Sequence, residues 1–220
     1  MRTGAPEIVL GEGKTVEHLI ALLQGLSRDG RGAFVSRPTP AQRQSLARGV
    51  RDLHVTELAE GRLLRLAGPV ADGPAPGKVA VLSAGTADIP VAEEAAALLE
   101  ALGVTVLRAY DVGVAGIHRL ERVLRRIERQ RPSVYLAFAG REGALPTVLA
   151  GLVRAPVVGI PTSVGYGRGG RGEAALNAML QSCAPVVVVN IDAAIPAALF
   201  AVQLLGVRQG EIPRQKGTGF

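Results

Sequence analysis

The chain has 220 residues, of which 48% are hydrophobic and 20% charged, and only one is cysteine. This composition excludes a disordered chain and is typical of a globular protein with one full core and at most a small appendage. No signal-peptide pattern opens the sequence and no apolar run reaches the roughly 18 residues of a membrane span, so we expect neither export nor a membrane segment. A lone thiol also excludes an internal disulfide and a cysteine-based zinc cluster, and we expect a cytoplasmic protein.

The formal net charge is +6, from 25 Lys and Arg against 19 Asp and Glu. This excess favours anionic ligands such as phosphorylated small molecules, although an arginine-rich genome would produce the same count. Aromatic residues make up only 3% of the chain, and no basic stripe is interleaved with stacking side chains. We therefore expect no nucleic-acid partner.

The first 70 residues predict a small α/β domain. Glu7–Leu10 is apolar, and Thr15 is placed to cap a helix in which apolar residues recur at helical spacing up to Leu26. Ala33–Ser36 reads as extended, and further elements are predicted at Pro40–Val50 (helix) and Arg62–Leu66 (strand). Gly, Pro and Ala then dominate residues 71–77, which we interpret as a linker.

Residues 78–220 predict a three-layer αβα domain with a parallel sheet. Five short runs rich in β-branched residues alternate with helical stretches of Ala, Leu, Glu and Arg, the pattern of successive βα units. These runs are Lys78–Leu82, Val104–Ala109, Val134–Phe138, Val157–Ile160 and Val186–Ile191. In such folds ligands bind outside the carboxyl ends of the strands, so the loops after these runs are the candidate site.

The first two loops carry small and titratable residues. Ser83–Asp88 leads into a helix and can form an anion site, although Thr86 or Asp88 taken singly is better explained as a helix N-cap. The loop at 110–119 contains His118, one of three histidines in the chain, which is a candidate acid–base group.

The third and fourth loops carry carboxylate, arginine and glycine. Glu142 precedes a predicted helix, where the helix dipole favours a carboxylate with or without a chemical role. Residues 161–172 contain five glycines and two arginines, which suits close approach of the backbone to a phosphate. Gly165, Gly167 and Gly170 also match GxGxxG, with Asp192 downstream, so a nicotinamide-dependent oxidoreductase is an alternative. Against it, the motif follows the fourth strand of the domain and comes after a long turn.

Cys183 admits two interpretations. A free cysteine is usually a buried packing residue, but an accessible thiol can act as a nucleophile. It lies between a predicted helix and the last strand, at the amino edge of the sheet, whereas the candidate loops lie at the carboxyl edge.

Several of these motifs, in this order, resemble the LarB family, which makes the first intermediate of the nickel-pincer nucleotide cofactor of lactate racemase. The resemblance spans nearly the whole chain and rests on Ser83–Asp88, 111–119, Gly143–Pro146, 161–167 and Asn177–Ala184. The C-terminal part is also similar, more distantly, to the PurE-type aminoimidazole-ribonucleotide mutases, and such a mutase is the second hypothesis.

The LarB resemblance implies a carboxylase and phosphoanhydride hydrolase. It would convert nicotinic acid adenine dinucleotide and CO2 or bicarbonate to pyridinium-3,5-biscarboxylic acid mononucleotide and AMP. Cys183 would add to the pyridinium ring, with Glu142 and His118 as further catalytic residues. The implied substrate-binding residues are Ser83, Gly85, Thr86, Asp88, Gly113, Arg119, Gly140, Arg141, Thr162, Ser163, Gly165, Tyr166, Gly167, Asn190 and Asp192.

The resemblance implies no tightly bound cofactor, although Mg²⁺ on the substrate pyrophosphate would assist hydrolysis. Since Cys183 and the loops lie at opposite edges of the sheet, the site would not close within one subunit. Either the last turns of the helix before Cys183 bend back over the sheet, or a neighbouring subunit supplies part of the pocket. The second alternative fits the PurE-like relatives, so we expect a homo-oligomer, an octamer by resemblance to PurE, with active sites shared between subunits.

Overall fold

The structure, a computed structural model, describes residues 6–50, 53–68 and 77–208. The predicted linker at 71–77 lies outside these residues except for Gly77. In the N-terminal part the elements are β1 (Glu7–Leu10), α1 (Val16–Arg28), β2 (Ala33–Ser36), α2 (Pro40–Ala47), β3 (Val55–Leu58) and β4 (Leu63–Leu66). In the C-terminal part they are β5 (Lys78–Ser83), α3 (Ile89–Ala101), β6 (Thr105–Ala109), α4 (Ile117–Glu128), β7 (Val134–Ala139), α5 (Ala144–Leu152), β8 (Val157–Pro161), α6 (Glu173–Leu180), β9 (Val186–Val188) and α7 (Ala194–Arg208).

The N-terminal domain is a four-stranded mixed sheet in the order β1-β2-β4-β3, in which only the β1–β2 pair is parallel. The predicted cap is confirmed, because the Thr15 hydroxyl accepts the His18 N–H at 3.2 Å. Helix α2 ends earlier than predicted, at Ala47, because Gly49 takes a left-handed conformation with φ of 86°. Strand β3 was not predicted, since it is short and its central residues Thr56 and Glu57 are exposed.

The C-terminal domain is confirmed as a three-layer α/β/α fold. Its five strands are all parallel, in the order β6-β5-β7-β8-β9. Helices α3 and α7 pack on one face of the sheet, while α4, α5 and α6 pack on the other. The central strand β7 is buried along its whole length, which explains why its sequence is a continuous apolar run.

The last strand is shorter than predicted. We expected Val186–Ile191, but β9 ends at Val188. Asn190 begins a turn in which its side-chain oxygen accepts the Ile191 N–H at 2.8 Å, and Asp192 follows with φ of 55°. The polar end of the run therefore forms a loop at the carboxyl edge of the sheet.

The N-terminal domain packs on the α3 side of the larger sheet. Phe34 and Leu63 are fully buried in the same apolar cluster as α3 and α7. At the edge of this contact, the Ser36 hydroxyl donates to Glu94 on α3 at 2.5 Å. Among the residues that the structure describes, no helix is long and apolar enough to span a membrane.

Candidate active site

The loops after β5, β6, β7 and β8 enclose a cavity of about 710 Å³ at the carboxyl edge of the parallel sheet. This is the location that the parallel fold predicts, and the volume lies within the usual range for a small-molecule site. Of the residues implied by the sequence, the cavity brings together Gly85, Asp88, Gly113, Arg119, Gly140, Arg141, Glu142, Gly165 and Tyr166.

Asp88 ties two of these loops together at the base of the cavity. It is 5% exposed, and its carboxylate accepts the Thr162 hydroxyl at 2.5 Å and the Gly85 N–H at 2.8 Å. Burial raises the pKa of Asp88, as does the negative charge of Asp192, while the hydrogen bonds from Thr162, Gly85 and Gly140 act in the opposite direction. Although Asp88 stands at the N-cap position of α3, its side chain makes no cap bond to that helix.

Two glycines allow the loops to approach each other closely. A Cβ added at Gly140 would overlap the carbonyl oxygen of Val164, and one at Gly113 would lie 2.6 Å from the carbonyl oxygen of Ala84. Gly113 also donates its N–H to that Ala84 oxygen at 2.8 Å. At these two glycines the loops approach each other backbone to backbone, and there is no room for a side chain.

Ser83 lies at the end of β5 and holds the loop after β6 in place. It is fully buried, and its hydroxyl accepts the Asp111 N–H at 3.1 Å. Asp111, with φ of 57°, forms an ion pair with Arg119 and so orients this guanidinium at the cavity. We did not single out Asp111 from the sequence, because its role depends on this tertiary pairing.

The mouth of the cavity carries an exposed aromatic ring. The guanidinium carbon of Arg141 lies 4.3 Å from the ring centroid of Tyr166, which is 77% exposed. This distance is typical of a cation–π contact. Gly167, with φ of 76°, follows Tyr166 and permits the sharp turn of the loop there.

The remaining predicted binding residues lie around the cavity without lining it. Thr162 is buried beneath Asp88, and Ser163 donates its N–H to the Asp192 carboxylate at 2.8 Å. Thr86 is exposed in the short turn before α3. Asn190 binds the backbone of its own loop, as described above.

Two predicted catalytic residues lie elsewhere in the single chain. His118 lines a separate groove of about 430 Å³ on α4, together with Glu121 and four arginines. Cys183 is free and exposed in the loop between α6 and β9, at the amino edge of the sheet. The interpretation of Cys183 as a buried packing residue is therefore wrong. Within one chain, Glu142 and Cys183 lie at opposite edges of the sheet.

No set of three His, Cys, Asp or Glu side chains is arranged to hold a metal ion in the described parts of the chain.

Two protein families match the two parts of the chain. Residues 1–65 match the LarB/PurE-like N-terminal domain, and residues 78–216 match AIR carboxylase. An uncharacterized protein of Methanocaldococcus jannaschii is 39% identical over 210 residues, which cover 91% of this chain and 78% of the relative.

Other relatives align with a smaller part of the chain. The N5-carboxyaminoimidazole ribonucleotide mutase of Pyrococcus horikoshii is 34% identical over 61% of this chain and 75% of its own length. The enzyme of the same name from Thermotoga maritima is 26% identical over 63% of this chain and 80% of its own length. Since both parts of the chain are matched, it belongs to the LarB family, whose C-terminal part is the PurE-like domain of AIR carboxylases.

Proposed function

We propose that this protein carboxylates the pyridinium ring of nicotinic acid adenine dinucleotide and hydrolyses its phosphoanhydride. The products are pyridinium-3,5-biscarboxylic acid mononucleotide and AMP. The observation that carries the proposal is the free, exposed thiol of Cys183 in a chain that has both LarB-type domains.

The first chemical step has to make the ring electron-rich. A pyridinium ring is electron-poor and does not attack CO2. Addition of the Cys183 thiolate to a ring carbon converts the ring to a dihydropyridine whose nitrogen lone pair is conjugated with the ring carbon that reacts. A thiolate suits this step because it adds reversibly and departs readily.

Carboxylation and release then follow from the adduct. The enamine carbon forms a bond to the carbon of CO2, and the electron pair of one C–O bond moves to oxygen to form the carboxylate. A base removes the proton from that ring carbon, and the ring regains its aromaticity when the C–S bond breaks and the thiolate departs. Glu142 lines the cavity and is our candidate for the base or for positioning CO2.

Hydrolysis of the phosphoanhydride adds one water across the pyrophosphate linkage and releases AMP. Arg119 and Arg141 both line the cavity, and their guanidinium groups suit the charge of a dinucleotide phosphate. His118 lies on α4, the helix that also contributes Arg119, and a role for it requires a ligand or subunit that extends to the α4 groove.

In this proposal a second subunit is needed to bring Cys183 and Glu142 together. Because Cys183 and Glu142 lie at opposite edges of one sheet, we propose that Cys183 of one subunit enters the cavity of another. Beside Cys183, the end of α6 exposes Leu180 and the edge strand β9 exposes Val187, which are 61% and 46% accessible and suit a subunit contact.

A PurE-type mutase is the second candidate, because relatives of that name match the C-terminal domain at 26–34% identity.

One experiment separates the candidates. The purified protein is incubated with nicotinic acid adenine dinucleotide and bicarbonate, and separately with N5-carboxyaminoimidazole ribonucleotide, and products are identified by mass spectrometry. We expect AMP and a doubly carboxylated pyridinium mononucleotide in the first reaction. Turnover in the second reaction alone contradicts the proposal. In a third incubation with a reduced nicotinamide cofactor, tight binding of the cofactor and consumption of a hydride acceptor would instead indicate the oxidoreductase.

A further inference from the structure

One side chain of the N-terminal domain extends to the loops that carry the active site. Arg37 follows β2, and its guanidinium donates a hydrogen bond to the main-chain carbonyl of Asp192. Its side chain is 33% exposed, and a second guanidinium nitrogen lies 3.9 Å from the Glu12 carboxylate. This is a contact between the two domains at the turn between β9 and α7.

Asp192 holds that turn to the loop after β8. Its N–H donates to the Pro161 carbonyl at 2.8 Å, and its carboxylate accepts the Ser163 N–H at 2.8 Å. Its carbonyl, besides accepting from Arg37, accepts the Ala194 N–H at 2.9 Å. Asp192 thus determines where the chain leaves β8, immediately before Val164, Gly165 and Tyr166 line the cavity.

The main chain of Arg37 is also held in place. Its N–H donates to the Arg62 carbonyl at 2.8 Å, and its φ is 52°, a conformation that a non-glycine residue rarely adopts. The preceding residue, Ser36, donates to the buried Glu94 on α3 at 2.5 Å, and Arg62 lies 3.4 Å from the same carboxylate. The end of β2 is therefore anchored to the C-terminal domain one residue before Arg37 extends to Asp192.

We propose that Arg37 is a positioning residue through which the N-terminal domain sets the conformation of the cavity wall at Val164–Tyr166. Arg37 does not line the cavity among the residues that the structure describes, so it acts through the Asp192 turn. This gives the N-terminal domain a direct part in forming the site. The inference goes beyond the proposed reaction and holds for any substrate that contacts this wall.

The test compares Arg37→Met with Arg31→Met in the full chain. Arg31 is the matched control because it pairs with Glu7 at 2.8 Å, within the N-terminal domain. Hydrogen–deuterium exchange is followed at residues 161–168 and 189–194, with the buried strand β5 as an internal reference. We expect at least about threefold faster exchange in both segments for Arg37→Met, because fewer hydrogen bonds then restrain the turn, and no change for Arg31→Met.

Kinetics supply the second readout. With nicotinic acid adenine dinucleotide, Arg37→Met should raise KM by about tenfold, the equivalent of about 1.4 kcal/mol, with kcat changed far less. Arg37→Lys keeps a charged donor and should recover part of this loss.

Unchanged exchange in Arg37→Met, or equal acceleration in Arg31→Met, overturns the inference. If the wild-type protein does not turn over the dinucleotide, the proposed reaction fails, but the exchange comparison still decides the role of Arg37.

Discussion

At the residue scale, the cavity depends on positions that cannot accept a Cβ atom. Gly140 is the clearest case, because an added Cβ would overlap the Val164 carbonyl and lie 2.9 Å from the Thr162 hydroxyl. Gly140→Ala should therefore displace the loop after β8 and destabilise the protein by about 1–3 kcal/mol. Urea unfolding followed by circular dichroism measures this change.

The matched control for this substitution is Gly151→Ala. Gly151 lies in helix α5 and an added Cβ there meets nothing within 4 Å. This variant should be more stable by about 0.5–1 kcal/mol, because alanine is the better helix former. Equal stability of wild type and Gly140→Ala would contradict the packing described for the cavity.

The sequence identified several residues of this cavity, but it did not settle the role of each one. The motifs placed Gly85, Asp88, Gly140, Glu142 and Tyr166 in loops after strands, and the structure brings these five residues around one cavity. The sequence could not distinguish between binding and capping for Asp88, because its partner Thr162 is distant in the chain and adjacent only in the fold.

At the scale of elements, two of the three glutamates of helix α3 have opposite environments. Burial raises the pKa of Glu94, and the bonds from Ser36 and the charges of Arg62 and Arg37 only partly oppose it. A raised carboxyl pKa contributes stability that is complete below the unfolded-state pKa of about 4.3 and is lost as pH rises through the folded-state value. The stability of wild type relative to Glu94→Gln should therefore fall as pH rises from 4 to 7 in urea unfolding.

Glu100 on the same helix provides the control of opposite sign. Hydrogen bonds from Arg108 lower the pKa of Glu100, so its contribution is present above the unfolded-state pKa and is lost as pH falls through the folded-state value. The stability of wild type relative to Glu100→Gln should thus rise with pH at acid pH, from about pH 3 to 5, on either side of the unfolded-state pKa of about 4.3. Parallel pH dependences for the two variants would refute the assignment of burial as the main influence on Glu94.

Buried helices and strands were the easiest elements to predict, because burial requires a regular pattern of apolar residues in the sequence. Strands β5 to β8 were each predicted within one residue at either end. For β5, β7 and β8 the reason is that buried parallel strands are continuous apolar runs, whereas β6 is a partly exposed edge strand. Two other edge strands were harder. Strand β3 is half-exposed, and the apolar run of β9 continues into a turn that Asn190 and Asp192 form through their own side chains.

At the scale of the whole molecule, an exposed apolar surface predicts assembly. Helices α5 and α6 pack against each other and against β9, and Leu152, Leu180 and Val187 are exposed on these three elements. Val187→Lys should shift the protein to a smaller species in light scattering and abolish activity if the sites are shared. A wild-type monomer with full activity would contradict the shared-site proposal.

Mixing two inactive variants tests shared sites directly. Cys183→Ala and Glu142→Gln should each be inactive alone, since each lacks one group of every site. Reversible dissociation and reassembly of the mixture should restore part of the activity, because some sites then combine an intact Cys183 with an intact Glu142. If the mixture remains as inactive as its components, the two residues do not come from different subunits.

In the proposed reaction, the Cys183 thiolate activates the pyridinium ring for carboxylation. This step is tested with Cys183→Ala, nicotinic acid adenine dinucleotide and ¹³C-labelled bicarbonate, with Gln181→Ala as a control from the same exposed turn. Mass spectrometry should find the label in the pyridinium product with wild type and Gln181→Ala. Cys183→Ala should give no labelled product although each subunit remains folded, because the side chain is exposed on its own subunit. Labelled product at the wild-type rate from Cys183→Ala would contradict this role of the thiolate.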